Sequence, residues 1–253
     1  MASASLKKIV RHCDTLLTTP EIEDWSGALN GLQVENGGTV SRIAASVDAS
    51  LATARLAIES KADLLIVHHG FFWSKTTPWT GNRYELLQLL LNYNLAVYSS
   101  HLPLDCHPKL GNNAQLAKAL GFKKPEPFFN EKGRDIGLRF NQPIKRDALQ
   151  SKLELAVNGP VTTLPGGGKT CSKIGIVTGG AGAEIAKAAA EGCDTFITGE
   201  GPHWTFALAE DLGINVFYAG HYATETFGVK ALSEHLSKKF KLPWSFLDHP
   251  TGL

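Results

Sequence analysis

The feature that most constrains this chain is its alternation of short apolar runs with longer, helix-spaced stretches. Apolar residues recur at helical spacing over residues 6–17. Residues 42–47 then read as a strand, 49–61 as an Ala-rich helix and 64–67 as a continuous apolar strand. A helix over 84–91, a strand over 95–98 and a helix over 113–120 follow. Lys123-Lys124-Pro125-Glu126-Pro127 reads as a linker, after which the rhythm restarts. Strands are predicted at 135–140, 174–177, 195–198 and 214–218, and helices at 145–157, 183–191, 204–212 and 224–238. Strands separated by helices require crossover connections, so the expected fold class is α/β, with some parallel pairing in each sheet.

At 253 residues the chain is long enough for one large core or two small ones. Its 25 Lys+Arg against 24 Asp+Glu leave a net charge of +1, which argues against a general nucleic-acid coat or a polybasic membrane binder. No apolar run approaches the ~18 residues of a spanning helix, and the first residues lack a signal-peptide core, so a cytoplasmic protein is expected. Cys13, Cys106, Cys171 and Cys193 are scattered and form no C-x-x-C pair, and they read as reduced thiols.

The chemistry concentrates where predicted strands end. His68 and His69 follow one strand and precede Gly70. A second strand exits into His101 and Asp105, and a third into His221 and Glu225, which share a helix face if a helix starts near Tyr222. Ligand sites in α/β folds collect at the carboxyl ends of strands. If the three strands share one parallel sheet, four imidazoles and two carboxylates converge. Nitrogen and oxygen donors without thiolate suit Zn, Mn, Fe or Co. Six groups exceed the needs of one tetrahedral ion and fit two divalent ions ~3.5–4 Å apart, a centre suited to hydrolysis. Glu200 and His203 stand at a further strand exit, either in the same cleft or capping the next helix. His12, His235 and His249 are assigned no function, and His107 reads as an exposed loop residue.

Two glycine-rich segments imitate nucleotide loops. Gly168-Lys169-Thr170 resembles the end of a phosphate loop, but the first Gly of that motif falls on Thr163, and the segment reads as a flexible loop. Gly179-Gly180-Ala181-Gly182 opens a helix, but the dinucleotide fingerprint needs Gly or Ala at Ile185, leaving a tight turn.

Five segments in order carry a resemblance: Asn30-Gly31-Leu32-Gln33-Val34; Val67-His68-His69-Gly70-Phe71-Phe72-Trp73; His101-Leu102-Pro103-Leu104-Asp105; Leu110-Gly111-Asn112-Asn113; and Gly220-His221-Tyr222-Ala223-Thr224-Glu225. Over about residues 25–240 the chain resembles the GTP cyclohydrolase I type 2 family of dinuclear metal proteins, also called the NGG-one-interacting-factor-three family. The resemblance implies two interlinked α/β domains, with residues 125–218 inserted into a metal domain of 1–124 plus 219–253. It implies metal ligands at His68, His69, Asp105, His221 and Glu225, with Glu225 as a candidate bridge. His101 matches the motif and is expected as a proton shuttle or outer hydrogen-bonding group. The resemblance also implies a ring-shaped homohexamer. The reaction it implies is opening of the guanine ring of GTP, with water attacking C8, to give a formylated and then cyclised pterin triphosphate.

The expected activity is therefore metal-dependent hydrolysis of a small-molecule substrate, sharpest as a purine nucleotide. Lys75, Arg83 and Lys109 flank the motifs as candidate anion contacts. The alternatives are a generic two-metal phosphoesterase and a metal-binding regulatory ring without turnover.

Overall fold

The fold was read from a computed structural model that describes residues 2–73, 77–131 and 133–253. Lys75 lies outside the described residues. The chain runs through β1 (Ala4–Ser5), α1 (Leu6–Leu16), β2 (Gly31–Val34), β3 (Thr39–Val40), β4 (Ile43–Asp48), α2 (Leu51–Glu59), β5 (Leu64–His69), α3 (Asn82–Asn92), β6 (Ala96–Ser99) and α4 (Leu102–Asp105). It continues through α5 (Asn112–Leu120), β7 (Glu126–Glu131), β8 (Arg134–Lys145), α6 (Arg146–Val157), β9 (Thr162–Pro165), β10 (Thr170–Ile176), α7 (Ile185–Ala190), β11 (Thr195–Thr198), α8 (Thr205–Leu212), β12 (Asn215–Tyr218), α9 (His221–Phe240) and β13 (Trp244–Phe246). The α/β class expected from the alternation is the class observed.

Two compact units divide the chain, one of residues 1–107 with 228–249, the other of 108–227 with 250–253. These limits differ from the boundaries at 124 and 219 expected from the sequence. The reason is packing: Leu116, Ala117 and Leu120 of α5 bury against Phe140, Leu149 and Leu153. The first turns of α9 group with the second unit as well.

In the first unit the sheet order is β13-β4-β5-β6-β2, with β4, β5 and β6 parallel and β2 antiparallel to β6. In the second it is β7-β8-β10-β11-β12-β9, with β10, β11 and β12 parallel and β9 antiparallel to β12. The two parallel cores repeat one plan down to its anchoring acid. Before β5, Asp63 accepts from the backbone N–H groups of Ser41 and Arg42. Before β11, Asp194 accepts from those of Ser172 and Lys173. Each carboxylate fixes the register of its strand against the preceding one, Ile43 facing Leu64 in one sheet and Ile174 facing Thr195 in the other.

Three local expectations need correction. β5 runs through His69, so His68 and His69 are its last two residues rather than the residues after it. The linker read at 123–127 gives way to β7, which forms a hairpin with β8 and buries Phe128 and Phe129 to 1% exposure. The segment read as a flexible loop around Gly168 is packed at Gly166 and Gly167. A Cβ on Gly166 would lie 2.1 Å from the Ala209 carbonyl oxygen, and one on Gly167 2.9 Å from the Asn215 nitrogen. These glycines let the chain cross α8 closely between β9 and β10.

Among the described residues no helix is long and apolar enough to cross a membrane. Cys13, Cys171 and Cys193 are buried, and burial raises each thiol above its ordinary range, Cys193 to about 12.

Candidate metal centre

Three imidazoles meet at the carboxyl ends of β5 and β6. His68 and His69 are neighbours in a strand and start on opposite faces. The chain turns at Gly70, and their ring centroids come to 4.8 Å. His101 follows β6 and lies 4.8 Å from His68 and 5.6 Å from His69 by ring centroid. One ligand nitrogen of each of the three falls within 4.8 Å of the others, an arrangement that can hold a metal ion. Asp105, at the end of α4, brings Oδ2 to 3.4 Å from His68 Nε2.

The partners of these rings fix their chemistry. His68 Nδ1 lies 2.9 Å from the Ser100 carbonyl oxygen, His69 Nδ1 2.8 Å from Asp48 Oδ1, and His101 Nδ1 2.8 Å from Asp24 Oδ1. A carbonyl or carboxylate oxygen only accepts, so each Nδ1 carries the proton. Each neutral ring then keeps its lone pair on Nε2, the tautomer a metal ligand needs. The donor set thus fits a divalent ion of the zinc, manganese, iron or cobalt kind.

Asp24 belongs to a buried network. Its Oδ2 accepts from Asn30 Nδ2 at 2.7 Å and from the Leu102 N–H at 3.1 Å, while Asn30 Oδ1 accepts from the His101 N–H at 2.7 Å. Burial alone would raise the Asp24 pKa, but the bonds from His101, Asn30 and the Trp25 N–H outweigh it and hold the carboxyl below its ordinary value. Gln33 bridges the other loop, accepting from the Phe71 N–H and donating to the Leu29 carbonyl, both at 2.7 Å. A Cβ on Gly70 would sit 2.1 Å from Gln33 Nε2, which explains the glycine after the His pair. The two motifs around Asn30 and Gly70 are therefore halves of one scaffold.

The second unit carries its own imidazole–carboxylate group. His221 opens α9, its Nδ1 2.7 Å from Glu200 Oε1 and its Nε2 3.2 Å from Glu225 Oε2 one turn on. Burial opposes charge on this ring, but Glu225 and then Glu200 outweigh it and push its pKa up to about 9. Glu225 is 2% exposed. Gly179, at φ +77, leaves it room, since a Cβ there would lie 2.2 Å from Glu225 Oε1. The turn at 179–182 thus cradles a carboxylate rather than a dinucleotide.

The expectation that all three strand exits share one sheet is overturned. β5 and β6 belong to the five-stranded sheet, whereas β12, which leads to His221, lies between β11 and β9 in the other. Pairing partners are chosen by register and core packing, which a local apolar pattern does not encode.

Glu200 sits on His221, while His203 is exposed beyond it. His107 is half-buried, not exposed as expected. His12 and His235 form a pair, with Nε2 atoms 2.8 Å apart. Arg83 lies over the Trp79 ring at 4.7 Å, and Lys109 groups with the second unit. Asp24 and Asp48 stand outside every motif quoted above, and Trp73 closes the motif of the His pair without a role read for it. Asp48 was findable, because it directly follows the strand predicted at 42–47, which the structure pairs in parallel with the one bearing the His pair.

The profile of the Duf34/NIF3 (NGG1p interacting factor 3) family matches residues 4–251. The chain is 42% identical to a protein of Deinococcus radiodurans over 233 residues, covering 89% of this chain and 87% of that one. It is 41% identical to one of Halobacterium salinarum, covering 96% and 97%. Both relatives are named "GTP cyclohydrolase 1 type 2 homolog". Among solved structures, TTHA1606 from Thermus thermophilus superposes with a TM-score of 0.91 at 38% identity, covering 99% of this chain and 100% of that one. Reduced HcgD from Methanocaldococcus jannaschii superposes with a TM-score of 0.85 at 25% identity, covering 98% of this chain and 100% of that one.

Proposed function

Because the chain belongs to the Duf34/NIF3 family, with relatives named for GTP cyclohydrolase, we propose that it is a metal-dependent hydrolase of a purine nucleotide, GTP in the sharpest form. The observation that carries this reading is the set of three histidines, each with one ring nitrogen within 4.8 Å of the others and each with Nδ1 tied to an acceptor, so that the Nε2 lone pairs of His68 and His69 are left for metal and that of His101 for a proton. Our proposed ligands are His68, His69, Asp105, His221 and Glu225, serving two divalent ions. We also propose that the protein assembles as a homohexameric ring.

Divalent metal, when bound, supplies an acidified water and Lewis-acid polarisation of the bond under attack. The chain's own residues do the rest. His101, neutral with its Nδ1–H on Asp24, takes a proton at Nε2 as water adds at C8 of the guanine ring. Asp24, held ionised, stabilises the imidazolium that results. The same proton goes to the ring nitrogen released when its bond to C8 breaks, and the other hydrogen of the water passes from the C8 hydroxyl to the second imidazole nitrogen, leaving a formamide; a second hydrolysis releases formate before the ribose-derived carbons close the pterin ring. Ser100 and Asp48 keep His68 and His69 in the ligating tautomer throughout.

The test is incubation of the zinc-, manganese-, iron- and cobalt-loaded protein with GTP, followed by oxidation and pterin fluorescence. Fluorescent product that disappears in His69→Ala is expected. Folded protein that yields none with any of the four metals overturns the reading, and turnover of simple phosphodiesters alone replaces it with a phosphoesterase.

A further inference from the structure

Trp73 is 40% exposed, yet it touches the imidazole cluster. Its ring centroid lies 4.6 Å from that of His101 at an interplanar angle of 80°, and 5.2 Å from that of His69 at 41°. An edge-on contact of this kind uses only part of an indole surface. Leaving so much of a Trp in water forgoes much of the transfer free energy its burial would bring. Exposed Phe72 precedes it in the chain, and exposed Trp25 follows Asp24, the residue that holds His101.

The segment leading to Trp73 is held rather than free. Gln33 grips the Phe71 N–H, and the Leu29 N–H reaches the Phe72 carbonyl oxygen at 3.3 Å. Gly70 admits the Gln33 amide at a distance that no side chain permits. An aromatic side chain fixed beside catalytic groups and exposed to solvent is preorganised to stack on a flat ligand, with little ordering cost left for binding.

We infer that Trp73 is the stacking platform for the planar ring of the substrate, a nitrogen heteroaromatic of purine size, and so sets specificity at this site. The inference rests on the proposed hydrolase reading and narrows it: ring recognition comes from an indole face beside His101 and His69. Stacking tolerates any flat base, so Trp73 selects ring-bearing ligands over ringless ones rather than one purine over another.

The test measures binding of GTP, guanosine and inorganic triphosphate to the zinc-loaded full chain by calorimetry, for wild type, Trp73→Ala and Trp73→Phe, with metal content checked in each. Expected is a loss of about tenfold in affinity for GTP and guanosine in Trp73→Ala, with triphosphate changed less than about twofold. Trp73→Phe should recover most of that loss, and all three proteins should hold equal metal. Equal weakening for all three ligands, unchanged guanosine binding, no guanosine binding by wild type, or metal loss in Trp73→Ala would each overturn the inference. Ring-selective loss without GTP turnover in any metal form would leave the platform standing and remove the hydrolase reading.

Discussion

Asp24 Oδ1 stands 2.8 Å from His101 Nδ1, and the Asp24 side chain is 4% exposed. This acid comes from an irregular segment far upstream in the chain, yet it sets the tautomer and orientation of the imidazole nearest Trp73.

Replacing Asp24 by Asn keeps the shape and removes the charge. Turnover of the metal-loaded protein should fall by about 10–100-fold with little change in KM, because the imidazolium loses its counter-ion. Asp24→Ala should in addition lower stability by about 2 kcal/mol through the lost charge-assisted bonds to Asn30 and Leu102. Steady-state kinetics and urea unfolding check the two effects separately.

Metal uptake should depend on pH through His221. In the metal-free protein its folded pKa is raised from 6.5 to about 9. The His221–Glu225–Glu200 ion pairs therefore give their full stabilisation below about 6.5 and lose it as pH rises through about 9. Metal needs the neutral ring, so the sign for binding is opposite: affinity should climb across that window, with a proton released on binding. Zinc calorimetry in buffers of different ionisation enthalpy reads the proton directly.

The His12–His235 pair makes a separate prediction. Burial, with Lys239 nearby, lowers both pKa values from 6.5. A depressed folded value means that the unfolded chain binds protons first, so this contribution is present above about 6.5 and is lost as pH falls below it. As pH falls from about 7.5 to 5.5, the urea midpoint of wild type should drop relative to that of the double variant His12→Phe/His235→Phe, a comparison in which the His221 contribution cancels. Equal slopes would contradict it.

Gly179→Ala tests the carboxylate cradle. The new Cβ meets Glu225 Oε1 at 2.2 Å in a left-handed backbone position, so Glu225 must move. Metal content should drop while circular dichroism shows the fold retained; unchanged metal content would place Glu225 outside the ligand set.

Much of this was legible in the sequence because it is local. The strand–helix alternation announces α/β layers, and His68, His69, His101, Asp105, His221 and Glu225 all stand at the ends of strands or just beyond them. What was not legible depends on partners distant in the chain. β12 joins β11 rather than the sheet of β5 and β6, because sheet membership follows register and core packing. Asp24 sits in no periodic pattern, so nothing local marks it as the partner of His101. The linker read at 123–127 rested on Pro125 and Pro127, but β7 begins at Glu126 because the apolar area that Phe128 and Phe129 bury outweighs that signal. The repeated plan of the two sheets, with Asp63 and Asp194 in matching places, appears only once strands are paired.

The most direct measurement is metal per chain by mass spectrometry, made on protein as purified and after reconstitution, for wild type, His68→Ala and His221→Ala. About two equivalents are expected in wild type, with a sharp fall in each variant. Wild-type protein that stays near zero after reconstitution, or variants that hold as much metal as wild type, would contradict that expectation.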